Sequence, residues 1–336
     1  MRLRRESRPI PPLKRSDGSW ATSALDKASL LASTWEQKSR PHLSVPSDFD
    51  STPLGPKLSE FFPVRLRSVM LVLRQLQCDK ATGPDRVSNR LLKECFRELS
   101  LPLTILIRRM LRDGEWPACW RLHMLHPLHK KKARNLPDNY RGLHLTSNLS
   151  KVAERILSPP LVQFLSTSGG MGAFQFAYRP GHSCRDIHAI LVNNWLLLLA
   201  RGRKVALFQG DVSGAFDRVP AVRLLRKLRR AGLSDCLLAL IKSFLQPRRG
   251  YVAVAGSASK LFVLSDSVFQ GAVLGPPLWN AFAADVEIPI CNTGAFLVDY
   301  ADDLNTWMSF PASTPNDMVF DELRPCSKRD SPMGRG

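Results

Sequence analysis

Two aspartates stand side by side in Tyr300-Ala301-Asp302-Asp303. The apolar run Ala295-Phe296-Leu297-Val298 precedes them and Leu304-Asn305-Thr306-Trp307 follows. An apolar run, a short polar step and a second run form the pattern of a hairpin, which puts both carboxylates at its tip. Adjacent carboxylates repel, so a fold that holds them together usually supplies a cation. A hard divalent ion such as Mg²⁺ suits carboxylate oxygens and keeps a place for substrate phosphate. Taken alone, the pair reads better as a solvated turn, because Asp bonds nearby backbone in turns.

A second acidic strand end changes that balance. Val205-Ala206-Leu207-Phe208-Gln209-Gly210 runs into Asp211, and Val212-Ser213-Gly214-Ala215-Phe216-Asp217 follows. A carboxylate from each of two neighbouring strands makes one metal site. Two ions between an attacking hydroxyl and a leaving pyrophosphate is the arrangement of polymerases.

The two segments resemble the palm motifs of reverse transcriptases, in particular those of non-LTR (LINE-type) retrotransposons. Tyr-Ala-Asp-Asp is that family's catalytic hairpin, and Asp-x-x-x-Ala-Phe-Asp its earlier strand end. Further segments resemble the family in its own order. Lys80-Ala81-Thr82-Gly83-Pro84-Asp85 is similar to the signature that opens the domain, an architectural turn. Pro127 and Lys130, then Tyr140 and Arg141, match the fingers, with Gly142 and Leu143 replacing Pro and Ile. Lys151-Val152-Ala153-Glu154-Arg155-Ile156 is similar to the Lys-x-x-Glu-x-Ile helix. Gln175-Phe176-Ala177-Tyr178-Arg179 is similar to Gln-x-Gly-Phe-Arg. Gln270, Gly271, Leu274, Gly275 and Pro276 match a nucleotide-side loop in which Ser267, Phe269 and Ala272 replace Gly, Pro and Ser.

The resemblance implies an α+β fold: right-hand polymerase fingers and palm, with an antiparallel palm sheet backed by helices and the thumb missing. It implies RNA-directed DNA synthesis, in which a primer 3′-hydroxyl attacks a dNTP and pyrophosphate leaves. Two Mg²⁺ (or Mn²⁺) ions would be held by Asp211, Asp302, Asp303 and the Val212 carbonyl. Lys130 and Arg141 would clamp the triphosphate, as point charge and bidentate fork. Phe216 would exclude a 2′-hydroxyl, which argues against an RNA-templated RNA polymerase. Gln270 and Gly271 would line the nucleotide pocket. Gln175, Arg179 and Tyr300 would meet template or primer. The partners are then an RNA template, a DNA primer and dNTP. Without the resemblance, Lys130-Lys131-Lys132 reads as a solvated hairpin loop and Phe216 as ordinary core. His123, His126 and His129 do not read as a metal cluster, because a strand turns His126 to the face opposite the other two.

The elements that must position these groups follow from patterning. Residues 1–57 are rich in Pro, Ser and basic residues and read as a largely disordered arm with one helix near 22–38. Residues 58–308 form the reverse transcriptase domain, 58–200 mainly fingers and 201–308 mainly palm. Within it, helices are expected over 64–76, 91–111 and 187–200, the last apolar enough to be core. Residues 220–245 read as two helices split at Gly232, and 251–255 and 260–264 as strands. Residues 309–336 read as a disordered tail.

The chain has 336 residues and a net charge of +19 spread along its length, which points to a polyanionic partner. Its 7 cysteines are odd in number and widely spaced, as expected of reduced intracellular thiols. The basic start lacks a signal-peptide apolar core, and the run 195–200 is too short for a bilayer. The expectation is an intracellular, nuclear or cytoplasmic protein with no membrane partner, truncated after Tyr-Ala-Asp-Asp. Another element-encoded chain could supply the missing domains. The competing reading is a truncated or decayed copy that binds nucleic acid without polymerising.

Overall fold

The computed structural model describes residues 9–39, 63–212, 214–264 and 268–327. In chain order, β1 (Leu13–Lys14), β2 (Trp20–Ala21) and α1 (Ala24–Lys38) come first. Next are α2 (Leu66–Arg74), α3 (Asn89–Glu94), α4 (Phe96–Asp113), β3 (Leu122–His129), β4 (Tyr140–Leu145) and α5 (Asn148–Thr167). Then come α6 (Cys184–Ala200), β5 (Arg203–Asp211), α7 (Ala221–Arg230), α8 (Asp235–Leu245), β6 (Arg248–Val254), β7 (Ser257–Ala258) and β8 (Phe262–Leu264). The series closes with α9 (Gly275–Ala283), α10 (Glu287–Cys291), β9 (Phe296–Tyr300), β10 (Asp303–Pro311) and α11 (Asn316–Ser327). Among the described residues no helix is long and apolar enough to cross a membrane.

This α+β chain divides into two compact units. The first draws on residues 9–39, 63–156 and 239–273. Its sheet runs β4-β3-β6-β7, with β8 also on β6. The β3–β4 hairpin is antiparallel, as the sequence pattern expects. The parallel pairing of β3 with β6, from Leu122↔Arg249 to Leu125↔Val252, has no local signature. A parallel partner needs a long crossover, so it arrives from far along the chain. This pairing joins 239–273 to the first unit.

The N-terminal arm carries the helix expected near 22–38, as α1, and departs from expectation in the order that surrounds it. Residues 9–39 fold as the β1–β2 hairpin and α1, whose cap Ser23 accepts from the Asp26 N–H at 3.1 Å. Leu13, Ala21, Ala28, Leu31 and Trp35 are buried. A Cβ on Gly142 would lie 3.1 Å from Leu125 and 3.2 Å from Trp35 ring carbons, so Trp35 packs closely over this glycine. Residues 40–57 of the expected arm lie outside the described residues.

Gly83 shows why the Gly-Pro-Asp turn is architectural. A Cβ there would overlap the Thr146 carbonyl and stand 2.8 Å from the Ser147 amide nitrogen, both rigid backbone. Gly83→Ala is therefore expected to destabilise the first unit by about 1–3 kcal/mol. A urea titration checks this, and an unchanged midpoint would refute the packing argument.

The second unit draws on residues 157–238 and 274–327. Its antiparallel sheet runs β5-β10-β9. The tail expected to be disordered instead extends β10 to Pro311 and adds α11, with Phe310, Val319 and Leu323 forming a small core. Residues 328–336 lie outside the described part. α6 is the reverse case. Ile187 and Leu191 are buried with Val298 and Trp307, but Val192 and Leu196 are 51% and 60% exposed. One side of this helix faces the sheet, so apolar residues on its other side are not core, contrary to expectation.

Candidate active site at the acidic hairpin

β9 and β10 close through a two-residue turn, Ala301-Asp302, because Tyr300 pairs with Asp303. β10 then pairs with β5 from Asp303↔Asp211 to Pro311↔Arg203. The Val212 N–H donates to the Asp302 carbonyl at 3.2 Å. The backbones of Asp211, Asp302 and Asp303 thus meet at one end of one sheet. The Asp211 side chain lies outside the described part, as does all of Ser213. Asp302 is partly exposed and Asp303 exposed. Like charges directly across a strand pair destabilise it. The donor set is all oxygen, so it fits a hard divalent cation such as Mg²⁺ or Mn²⁺. Asp211, Asp302, Asp303 and the Val212 carbonyl are the groups that would hold it.

The turn is made without glycine. Ala301 has φ +59°, the left-handed region, as at the first position of a type II′ turn. Gln175 is 4% exposed and is spent on this turn. Its Oε1 accepts from the Ala301 N–H at 2.8 Å and the Ala177 N–H at 3.0 Å. Its Nε2 donates to the Ala301 carbonyl at 3.1 Å. Arg179 donates through Nη1 to the carbonyls of Gly172 and Gln175, at 2.9 and 3.2 Å. Both residues, expected at the template, are here engaged with backbone of their own unit. Tyr300 packs partly against the Ile187–Trp307 cluster.

Asp299, one residue before Tyr300, carries no sequence signal. It is 4% exposed, and burial, then the charge of Glu287, push its pKa up to about 8. Burial thus favours its neutral form. Glu287 accepts from the Ala173 and Phe174 N–H groups at 2.7 and 2.8 Å. Phe216 lies in the short turn after Gly214 and stacks on Trp279, with ring centroids 5.7 Å apart.

The remaining expected nucleotide groups belong to the first unit. Lys130 opens the β3–β4 loop, its N–H on the Asn139 carbonyl at 2.8 Å. Arg141 is exposed on β4, opposite Leu128. The Gln270 carbonyl accepts from the His144 N–H at 3.1 Å, and the Val273 N–H donates to Glu154 at 2.5 Å. Gly271 has φ +103°, and a Cβ there would stand 2.8 Å from the His144 carbonyl oxygen. Glycine is thus required by this loop's own backbone.

Phe269, bulky where the family is compact, points into the interior. It is 1% exposed, edge-on to His123 and 4.2 Å from the Arg248 guanidinium. Arg248, itself 2% exposed, donates to the Phe244 carbonyl and to His123 Nε2, the latter at 2.9 Å. An arginine only donates, so His123 Nε2 must accept. His123 Nδ1–H then donates to His144 Nδ1 at 2.9 Å, and both imidazoles are neutral. Burial and Arg248 hold His123 well below the usual range and push His144 down to about 3. Ser267 lies outside the described residues.

Residues 128–318 match the family model described as reverse transcriptase (RNA-dependent DNA polymerase). Over 317 residues the chain is 27% identical to the RNA-directed DNA polymerase from mobile element jockey of Drosophila melanogaster, covering 90% of this chain and 34% of that one. Over 249 residues it is 30% identical to the probable RNA-directed DNA polymerase from transposon BS of the same species, covering 72% and 27%. It is also 26% identical over 234 residues to the Pol polyprotein of the type-1 element R1 of Bradysia coprophila, covering 69% and 23%. The chain spans about a third or less of the length of these curated relatives. A family match across more than half of the chain, with an acidic hairpin registered on a second acidic strand end, places this chain in the reverse transcriptase family, related to the polymerases of non-LTR retrotransposons.

Proposed function

We propose that the chain is the fingers-and-palm portion of an RNA-directed DNA polymerase of a non-LTR retrotransposon. The observation that carries this is the register that sets Asp303 opposite Asp211, with Asp302 tied to Val212. Two divalent ions, when bound, would activate the primer 3′-hydroxyl and stabilise charge on the leaving pyrophosphate. Asp211 and Asp302 hold the cations, and Asp303 supports them. Lys130 and Arg141 bind triphosphate oxygens. Phe216 excludes a 2′-hydroxyl, and Gln270 and Gly271 meet the nucleotide. The RNA template and DNA primer answer the +19 charge.

The test is primer extension by the purified chain on an RNA template with dNTP and Mg²⁺ or Mn²⁺. The Asp302→Ala/Asp303→Ala variant runs beside it. Extension that the double variant loses supports the reading. No extension, with primer–template duplex still bound, refutes it for this chain and favours a nucleic-acid-binding remnant.

A further inference from the structure

The turn that presents Asp302 is strained, and the strain is held from outside the hairpin. A non-glycine residue at positive φ is uncommon and persists where its surroundings over-determine it. Both backbone polar groups of Ala301 are taken. Gln175 reads them as a pair, accepting from the N–H and donating to the carbonyl. Trp279 Nε1 donates to the same carbonyl at 3.0 Å. Trp279 is 1% exposed, so this is the bond through which its indole N–H is satisfied.

The clamp is itself braced. The 174–176 segment lies beside β9: the Asp299 N–H donates to the Phe174 carbonyl, and the Phe176 N–H to the Asp299 carbonyl, both at 2.9 Å. Asn280, fully buried and next to Trp279 on α9, donates to the Ala177 carbonyl at 2.8 Å. Arg179 ties the carbonyls of the same loop, and Glu287 its amides. Gln175 and Trp279 therefore have little freedom except to face Ala301.

We propose that Gln175 and Trp279 are positioning residues that lock the left-handed Ala301 and so fix where the Asp302 carboxylate stands. The proposal deepens the polymerase reading and rests on it for the role of Asp302. It also explains why Gln175 is buried in its own unit, where a residue serving a template would be open to it. Glycine at 301 would reach the same φ without strain, so the need for the clamp is tied to the alanine.

The test uses the full chain and Gln175→Met, Trp279→Phe, Ala301→Gly and Gln175→Met/Ala301→Gly. Amide hydrogen exchange over 299–304 is the readout that needs no catalysis. The clamp predicts about tenfold or faster exchange there in Gln175→Met and Trp279→Phe, with 306–309 unchanged. Unchanged exchange at 299–304 in both would overturn the clamp whatever the activity. Faster exchange at 306–309 as well would overturn it in favour of general loosening.

In extension assays kcat should fall about 10- to 100-fold with KM for dNTP within twofold, as expected of a small misplacement of a reacting group. Ala301→Gly should restore part of the loss in the Gln175→Met background. Loosened exchange with full kcat would overturn the positioning role. A parent chain that does not extend at all would count against the polymerase reading, and the clamp would then stand or fall on exchange alone.

Discussion

Asp302→Asn is expected to lower primer extension by about 1,000-fold or more, with the chain folded and duplex still bound. The substitution keeps the size of the side chain and removes one negative charge. Asp302 occupies the second position of the turn, and its carbonyl is bonded to the Val212 N–H, so its place beside β5 is fixed. Metal stabilisation of transition-state charge is worth several kcal/mol. About 4 kcal/mol corresponds to the 1,000-fold loss. Asp303 is more exposed and starts β10, so Asp303→Asn should cost less, about tenfold. Without divalent ions, Asp302→Asn should leave thermal stability equal or slightly higher, since it relieves like-charge repulsion at the tip. Single-turnover extension and thermal melting check both halves. An Asp302→Asn chain that keeps a tenth of the parent rate would remove Asp302 from the metal site.

Acid should unfold the first unit from within. The unfolded chain binds a proton at His144 near the ordinary imidazole pKa of about 6.5. The folded chain resists that proton down to about 3, because His144 is buried and Arg248 stands near it. Between those values the unfolded state binds more protons, so stability falls as pH falls. At pH 4 the loss relative to pH 8 is about 3 kcal/mol from His144, at roughly 1.4 kcal/mol per pH unit. His123 is displaced in the same direction and steepens the loss. His144→Leu should be less stable at neutral pH, because the His123 Nδ1–H loses its acceptor. Its further loss between pH 8 and pH 4 should nevertheless be smaller than the parent's. Urea midpoints at the two pH values, measured for both proteins, decide this. Equal pH losses would mean that the buried imidazoles are not the acid-labile element.

Both predictions draw on features of unequal legibility. The acidic hairpin could be read because strand patterning and turn chemistry are local: two apolar runs flank a short polar tip. The antiparallel sheet and the split of 220–245 into α7 and α8 are local in the same sense. The left-handed Ala301 was not legible, since alanine gives no sign of positive φ. The resemblance implies a template contact for Gln175, and no local pattern marks its burial. Its partner lies 126 residues away.

Composition misled where a folded segment is short and polar on one side. Residues 9–21 and 316–327 carry the Pro, Ser and charge content of linkers, yet Leu13 and Ala21 in one and Val319 and Leu323 in the other are buried. α6 misled in the opposite sense, because an all-round apolar helix does not say how many neighbours it has.

By itself, the sequence determined the chemistry on offer: three carboxylates at two strand ends, a basic charge balance, and a family order of motifs. Each is carried by a few adjacent residues and survives without knowledge of long-range contacts. The tertiary structure alone decided which residues stand together. It paired β3 with β6 across the chain, enclosed Arg248 between Phe244 and Phe269 against His123, and brought Gln175 and Trp279 onto the Ala301 turn. These contacts depend on how distant segments pack, and the local pattern on either side of each is compatible with many partners.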